Sequence, residues 1–167
     1  MVSANHVAYT APVNPLDAKS LLTIEHIWPL LRRKIRRAED FVPAAITSTA
    51  VVSTSTMPTG HPVTVREVTF REGNRKITEE CVEYEPMKVE FRQSNGSKVQ
   101  NVVSEGAAGE LYMTYTFEWL HPELEGKAEE LEEMREKERR MARMAVEGTL
   151  KAMREMVADG RWKEELS

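Results

Sequence analysis

Between Ile46 and Leu120, almost every segment has the character of a β-strand, and short turns join the segments. The strand-like segments are ITSTAVVSTST, VTVREVTFR, KITEECVEY, MKVEFRQ, SKVQNVVSE and LYMTYTFEWL. The last of these has the clearest alternation of apolar and polar residues, which indicates a strand with one buried face. Turns this short make consecutive strands pair as antiparallel hairpins. We therefore predict six consecutive antiparallel strands in one sheet.

Two further elements precede this region. The segment HVAYTA shows a short alternation of side chains, with prolines close after it. It predicts a first strand at His6–Ala11. After it, apolar residues recur at helical spacing from Ile24 to Ile35, with Thr23 as the expected N-cap. Pro29 interrupts this pattern and indicates either a kink or a late helix start.

One long helical pattern follows the strands. From about Glu123 to Asp159, apolar residues recur at near-heptad spacing and charged residues fill the remaining positions. A helix of this length is unusual in a single domain, so we expect a break near Gly126 or Gly148. The charged part of this helix is typical of a solvated helix surface with ion pairs between residues four positions apart. It is also a candidate contact surface for a partner or for a homodimer.

The order of elements predicts the α+β class. A sheet with one apolar face must cover that face, and the C-terminal helix is the only element large enough to do so. We predict a curved antiparallel sheet wrapped around this helix, in a single domain of residues 1–167. A curved sheet and a helix rarely match along their whole length, so we expect an internal cavity between them.

Composition argues against several classes of function. The net charge of -4 is the opposite of the clustered positive charge that nucleic acids and anionic membranes attract, and no segment is apolar enough for membrane insertion. The single cysteine, Cys81, excludes an internal disulfide and fits a reduced compartment, and a secretory signal is not recognisable, so we expect a cytoplasmic protein. The four histidines are scattered and a phosphate-binding glycine loop is lacking, so neither a metal nor a cofactor is predicted.

Turn lengths assign side chains to the two faces of the sheet. With Gly73–Asn74 as a two-residue turn, Glu67 lies opposite Glu80. A four-residue turn at Glu85–Lys88 and a two-residue turn at Asn95–Gly96 then place this pair on the apolar face of the last strand. The predicted concave face consists of Val63, Val65, Val82, Tyr84, Val89, Phe91, Val102, Leu111, Met113, Tyr115 and Phe117, with Glu67, Thr69, Glu80, Gln100 and Ser104 embedded in it.

Glu67 and Glu80 are the catalytic residues that this register predicts. Desolvation and a neighbouring like charge both raise a carboxyl pKa, so one member of such a pair would hold a proton near neutrality and the pair would serve as general acid and base. The alternative is a pair at the rim of the sheet, solvated or bound to an arginine such as Arg143. On the other face, Arg66 and Glu79 are expected to form a surface ion pair beside Cys81.

The long helix is rich in methionine. Methionine fills irregular cores and also lines adaptable pockets for apolar ligands, and both interpretations apply to this face. Gly148 either leaves room for a ligand or lets the helix bend. The predicted ligand-binding set is Tyr84, Phe91, Gln100, Ser104, Met113, Tyr115, Phe117, Met141, Met144 and Gly148.

The element order resembles the helix-grip fold of the START and Bet v 1-like (SRPBCC) superfamily. Five segments, NHVAYTAPVNP, LTIEHIWPLLRRKIRRAEDFVP, ITEECVEYEP, VQNVVSEG and LYMTYTFEW, are similar to the AtaL-like family, whose members occur near fungal secondary-metabolite genes and in bacteria. The resemblance covers nearly the whole chain and carries no established catalytic set. It implies a pocket for a small molecule in secondary-metabolite biosynthesis.

Three functions are compatible with these observations. The first is a cofactor-independent, non-redox enzyme that cyclises, isomerises or dehydrates a bulky apolar metabolite. The second is a carrier that binds such a metabolite without altering it. The third is a partner-binding module of the co-chaperone kind, which only the charged helix supports.

Overall fold

In the computed structural model, which describes residues 2–165, the chain forms one seven-stranded antiparallel sheet and two α-helices. The strands are β1 (Ala4–Pro12), β2 (Ile46–Thr56), β3 (Pro62–Phe70), β4 (Lys76–Tyr84), β5 (Lys88–Gln93), β6 (Lys98–Glu105) and β7 (Leu111–Leu120). The helices are α1 (Ile24–Arg36) and α2 (Ala128–Asp159). The predicted domain of residues 1–167 includes Met1, Leu166 and Ser167, which lie outside the described residues.

The strands lie in the order β1-β7-β6-β5-β4-β3-β2. From β2 to β7 each strand pairs with its neighbour in sequence, as short connections require. The first strand closes the other edge by pairing with the last, so that Val7 lies opposite Phe117. Both helices pack against one face of this sheet, and the predicted α+β architecture is confirmed.

Helix α1 begins at the predicted N-cap. The Thr23 N–H donates to Nδ1 of His26 at 3.1 Å, which satisfies one of the groups that a helix start leaves free. The helix runs through Pro29, so a late start is ruled out. Its buried stripe is apolar at Ile27 and Leu31, but it also contains Lys34.

Helix α2 is continuous over 32 residues. It begins at Ala128, two residues after Gly126, and ends before Gly160, whose φ of 86° suits a glycine at a helix C-terminus. Gly126 therefore marks the boundary that the sequence indicates, whereas the alternative break at Gly148 is wrong. At Gly148, an added Cβ would lie 3.7 Å from the carbonyl oxygen of Phe41, which is ordinary contact.

Three hairpin loops differ in length from the predicted ones. Residues 85–87, 94–96 and 107–109 each form a three-residue loop, where the sequence suggested two or four residues. Gly96 and Gly109 adopt φ angles of 93° and 80°, the left-handed conformation that loops of this length place there. Because side chains alternate along a strand, each one-residue difference moves the following strand to the opposite face.

The β3–β4 loop also differs, but by two residues. Phe70 N–H donates to the Arg75 carbonyl at 2.7 Å, which closes a four-residue loop. Glu67 therefore pairs with Thr78 and not with Glu80. The predicted opposition of the two glutamates is wrong.

We call the sheet face that packs against α1 and α2 the inner face. On β5 and β7 the predicted faces are confirmed, whereas on β3, β4 and β6 they are reversed. The inner face of the five strands from β3 to β7 carries Thr64, Arg66, Val68, Ile77, Glu79, Cys81, Glu83, Val89, Phe91, Val99, Asn101, Val103, Leu111, Met113, Tyr115 and Phe117. Val63, Val65, Val82, Tyr84 and Val102 lie on the outer face instead. Within residues 2–165, no helix combines the length and apolarity that crossing a membrane requires.

Candidate functional site

The two predicted catalytic glutamates lie on the outer face. Glu67 is paired with Lys76 at 3.1 Å and Glu80 with Arg92 at 3.2 Å, and the two carboxylate side chains are 38% and 46% exposed. Each carboxylate is partly solvated and faces a cation, and neither faces the other glutamate. The environment that was expected to keep a proton on one of them is therefore not present at these positions.

Half of the predicted ligand-binding set also lies away from the inner face. The Tyr84 ring contacts the His61 ring in a tilted arrangement on the outer face, and Gln100 donates to Oε2 of Glu90 at 3.2 Å there. Ser104 pairs with Tyr112 on the same face. On α2, the Met141 and Met144 side chains are exposed to solvent. The predicted placement of these residues around an interior is wrong, because three-residue loops reverse the faces of the strands and because Met141 and Met144 lie on the solvent side of α2.

The other aromatic and methionine positions are where the sequence places them. Met113 and Phe91 are buried in the core, and Phe117 packs against its edge. Tyr115 is 1% exposed and points from β7 towards the helices. Their contact with a ligand stays a prediction.

A buried polar cluster joins α1 to the centre of the inner face. The Lys34 ammonium donates to Oδ1 of Asn101 at 3.0 Å and to the Tyr115 hydroxyl at 2.8 Å. Asn101 and Tyr115 face each other across β6 and β7. The Lys34 residue is only 7% exposed, and its nitrogen lies 4.2 Å from the centre of the Tyr115 ring. Both acceptors of this buried cation are neutral groups.

This environment changes the protonation of both titratable members. Burial, and to a smaller extent the nearby Arg66 guanidinium, lowers the pKa of Lys34, and Glu79 acts in the opposite direction; the net result is a pKa of about 7. Burial raises the pKa of the Tyr115 phenol well above its usual value. At neutral pH the cluster therefore contains an amine close to its midpoint beside a phenol that keeps its proton.

Two hydrogen-bonding atoms beside this pair are unsatisfied. Asn101 Nδ2 and Thr149 Oγ1 are buried and find no hydrogen-bond partner among residues 2–165. The Thr149 hydroxyl, on α2, is near enough to the Tyr115 phenol to favour the phenolate slightly, but not in hydrogen-bond geometry. A buried polar atom without a partner costs about 1–3 kcal/mol, so such atoms are rare unless something else uses them.

A buried ion pair supports the cluster from β3 and β4. Arg66 binds Glu79 through Nε at 2.8 Å and through Nη2 at 2.6 Å, and its Nη1 donates to the carbonyl oxygens of Lys34 and Ile35. The pair that the sequence predicts is confirmed, but it is buried and not on the surface. It fixes the C-terminal end of α1 and hence the position of Lys34.

The sequence predicts that Cys81 lies on the outer face. In the structure it lies on the inner face, beside this pair. Burial raises the pKa of its thiol to about 12, so it stays protonated and unreactive at neutral pH. Among residues 2–165, groups of histidine, cysteine, aspartate and glutamate that could hold a metal ion are not found.

Another polar cluster attaches the first half of α2 to the end of the sheet. Glu138 accepts from Asn5 Nδ2 at 2.7 Å through one oxygen, and its other oxygen contacts Nε2 of His121 at 2.5 Å. Glu138 and Asn5 are both buried. These contacts hold the helix over the inner face of the sheet.

Sequence reasoning missed Lys34, Asn101 and Thr149. Lys34 follows Ile27 by seven residues and Leu31 by three, so it lies on the apolar stripe of α1 and not among the solvated charges of its last turn. This spacing is the signal in the sequence that could have identified Lys34 as a buried residue. The inward direction of Asn101 depends on loop length, and a turn motif alone does not determine that length.

The family model described as acetylaranotin biosynthesis cluster protein L (AtaL) matches residues 7–160. No curated protein sequence matches the chain. Solved structures with the same fold include the di-domain ARO/CYC StfQ from the steffimycin biosynthetic pathway, with a TM-score of 0.65, 10% identity, and coverage of 95% of this chain and 52% of that protein.

Two single-domain structures match along almost their whole length. The Zhui aromatase/cyclase from Streptomyces sp. R1128 has a TM-score of 0.57 and 15% identity over 93% of this chain and 96% of that one. A point mutant of norcoclaurine synthase from Thalictrum flavum, in complex with a transition-state analogue, has a TM-score of 0.58 and 12% identity over 96% and 98%. The chain spans about half the length of the di-domain proteins that it matches, 49% and 52%. Identities this low show a shared fold alone.

Proposed function

This chain belongs to the family of acetylaranotin biosynthesis cluster protein L, and from that premise we propose that it is a cofactor-independent, non-redox enzyme of secondary metabolism. Its substrate is an apolar small molecule that carries a carbonyl group, and its reaction is a cyclisation, isomerisation or dehydration. The solved structures of aromatase/cyclases with the same fold favour this class of reaction.

The observation that carries the proposal is the buried contact of Lys34 with Asn101 and Tyr115. A general base is most effective when its pKa lies near the working pH, and Lys34 has a pKa of about 7. The neutral amine removes a proton from the carbon beside the substrate carbonyl. The carbonyl becomes an enolate, and Lys34 becomes an ammonium.

The unsatisfied atoms supply the complementary half of the reaction. Asn101 Nδ2 donates a hydrogen bond to the carbonyl oxygen, on which negative charge develops, and donors in a dry site stabilise such charge strongly. The Tyr115 phenol, which keeps its proton at neutral pH, is the second donor. Return of the proton from Lys34 to another carbon completes an isomerisation. Attack of the enolate on a second carbonyl forms a ring and an alkoxide, which takes the proton back from the Lys34 ammonium.

A carrier function needs only part of this arrangement. Asn101 Nδ2 and Thr149 Oγ1 would bind a ligand oxygen whether or not a proton is transferred, and the closed interior would shield the ligand from water. In that case ligand binding is retained without turnover.

The test uses 2-tetralone, an apolar bicyclic ketone whose protons beside the carbonyl exchange with D2O. We expect the parent protein to accelerate deuterium incorporation, measured by NMR, and Lys34→Met to lose about 10²–10⁴-fold of that acceleration. Lys76→Met, which removes an exposed lysine of β4, is the matched control and retains the parent rate.

Binding of 2-tetralone by the parent without faster exchange would identify a carrier. Equal exchange by the parent and a folded Lys34→Met variant would reject Lys34 as the base. Circular dichroism establishes that both variants fold.

A further inference from the structure

We infer that Lys34 is also a covalent attachment point, at which a ketone or aldehyde ligand condenses to form an imine. This inference rests on the proposed function and narrows its substrate class to molecules whose reacting carbonyl is unhindered. It assigns to Lys34 a bond to the carbonyl carbon, in addition to proton transfer at the neighbouring carbon.

The surroundings of Lys34 favour a nucleophilic amine. Its nitrogen lies over the Tyr115 ring at 4.2 Å and 5.9 Å from the centre of the Phe91 ring, and the Arg66 guanidinium lies 4.8 Å from that same Phe91 ring. The arginine is always charged and is bound to Glu79, so it adds positive charge beside the amine without accepting its proton. A lysine desolvated next to another cation is the usual form of a nucleophilic lysine.

The unprotonated fraction of Lys34 at neutral pH is much larger than that of an ordinary lysine. A side chain with a pKa of about 7 is half unprotonated at pH 7, whereas an ordinary lysine is unprotonated at roughly one part in a few thousand. Lys34 thus has roughly a thousandfold larger fraction of nucleophile than an exposed lysine at that pH.

The neighbouring groups match the two steps of imine formation. In the first step the Lys34 nitrogen bonds to the carbonyl carbon while Asn101 Nδ2 donates a hydrogen bond to the carbonyl oxygen. The proton that leaves the nitrogen passes to this oxygen and gives a carbinolamine. All atoms of the amine and the carbonyl are retained in this adduct.

In the second step the carbinolamine loses water. The Tyr115 phenol, 2.8 Å from the Lys34 nitrogen, gives its proton to the departing hydroxyl, and the remaining nitrogen proton returns to the phenolate. The products are one imine and one water, and Tyr115 is restored. The imine makes the neighbouring C–H bonds more acidic, so the same attachment would assist carbon–carbon bond formation.

Borohydride reduction in the presence of 2-tetralone tests this inference, because it converts an imine into a stable amine. The expected product is the protein plus one tetralone less its oxygen, and peptide mass spectrometry is expected to locate the addition on Lys34 before any exposed lysine. Tyr115→Phe is expected to slow adduct formation, and Lys34→Arg to abolish it, while Lys76→Met leaves it unchanged.

Peptide mass spectrometry of the reduced adduct on the parent protein decides the result even if a Lys34 variant fails to fold. Adducts that spread over exposed lysines and leave Lys34 unmodified would overturn the inference. Accelerated deuterium exchange by the parent without an adduct on Lys34 would refute covalent attachment but leave the proton-transfer proposal standing. Absence of both exchange and binding would reject the proposed function itself.

Discussion

The two faces of β3 and β4 carry the same kinds of charged residue with opposite consequences. On the outer face, Glu67 and Glu80 pair with Lys76 and Arg92 in water, where such pairs contribute about 0–1 kcal/mol. On the inner face, one residue along each strand, Arg66 and Glu79 form a buried pair that binds the end of α1. The inner pair lies beside the buried amine of Lys34, and both of its charges act on the pKa of that amine.

This difference teaches that burial, and not the residue type, sets how far the pKa of a charged group departs from its ordinary value. Lys34 has an ordinary side chain, and its burial against Asn101 and Tyr115 moves its pKa into the physiological range. On the outer face, Glu67 and Glu80 are partly exposed, and solvent screens their pairs. The predictions that follow each break or sharpen this contrast.

The largest expected effect on stability is at Arg66. Replacing it with methionine leaves Glu79 buried with Gln93 as its remaining side-chain donor, and removes two bonds to the end of α1. Loss of one partner of a buried pair costs about 3–5 kcal/mol, so urea unfolding of Arg66→Met should show a decrease of that size. Lys76→Met, which breaks the exposed pair with Glu67, is the control and should cost less than about 1 kcal/mol. Equal losses in the two variants would contradict the contrast.

The next effect is a pH dependence of stability that belongs to Lys34. Its pKa is about 7 in the folded protein and 10.5 in the unfolded chain, so between these values the unfolded chain binds the additional proton. The free energy of unfolding of the parent, relative to Lys34→Met, should therefore rise with pH above 7, by at most about 1.4 kcal/mol per pH unit. Below pH 7 the difference should be constant. A difference that stays flat up to pH 10 would show that Lys34 is not perturbed.

A smaller effect of opposite sign is expected at Thr149. Valine has nearly the same shape and lacks the unsatisfied hydroxyl, so Thr149→Val should be about 1 kcal/mol more stable than the parent in urea unfolding. The same variant should bind 2-tetralone more weakly, because a ligand oxygen loses a partner. Thr54→Val, at an exposed position of β2, is the control and should change neither property. A destabilised Thr149→Val would mean that the hydroxyl already has a role in the folded protein alone.

The smallest effect is expected at the outer glutamates. Glu67→Gln and Glu80→Gln should each change the free energy of unfolding by less than about 1 kcal/mol and leave the rate of deuterium exchange unchanged. Loss of exchange in either variant would return the catalytic role to the outer face.

The architecture can be predicted from the sequence, but the residues of the candidate site cannot. The reason is that the length of each hairpin loop decides which side chains of the next strand face inward. The alternation in β7 is long enough to identify Met113 and Tyr115 as inward residues without any neighbour. On β6, the inward position of Asn101 follows from three-residue loops, and Asn95–Gly96 is equally compatible with a two-residue turn. A one-residue error therefore exchanges Asn101 for Gln100 while leaving the strand order correct.

Helix α1 shows the other source of error. A lysine near the C-terminus of a helix is favoured by the helix dipole, and this explains Lys34 without reference to the interior. Its heptad relation to Ile27 indicates a buried location instead, and the structure agrees with that relation because Asn101 and Tyr115 accept hydrogen bonds from the Lys34 side chain.

The pH profile of deuterium exchange into 2-tetralone tests the central claim most directly. If neutral Lys34 is the base, the parent rate should rise with pH through a midpoint near 7, and this step should be missing in Lys34→Met. A step with its midpoint near the ordinary carboxyl range, or a step at 7 that persists in Lys34→Met, would contradict the account.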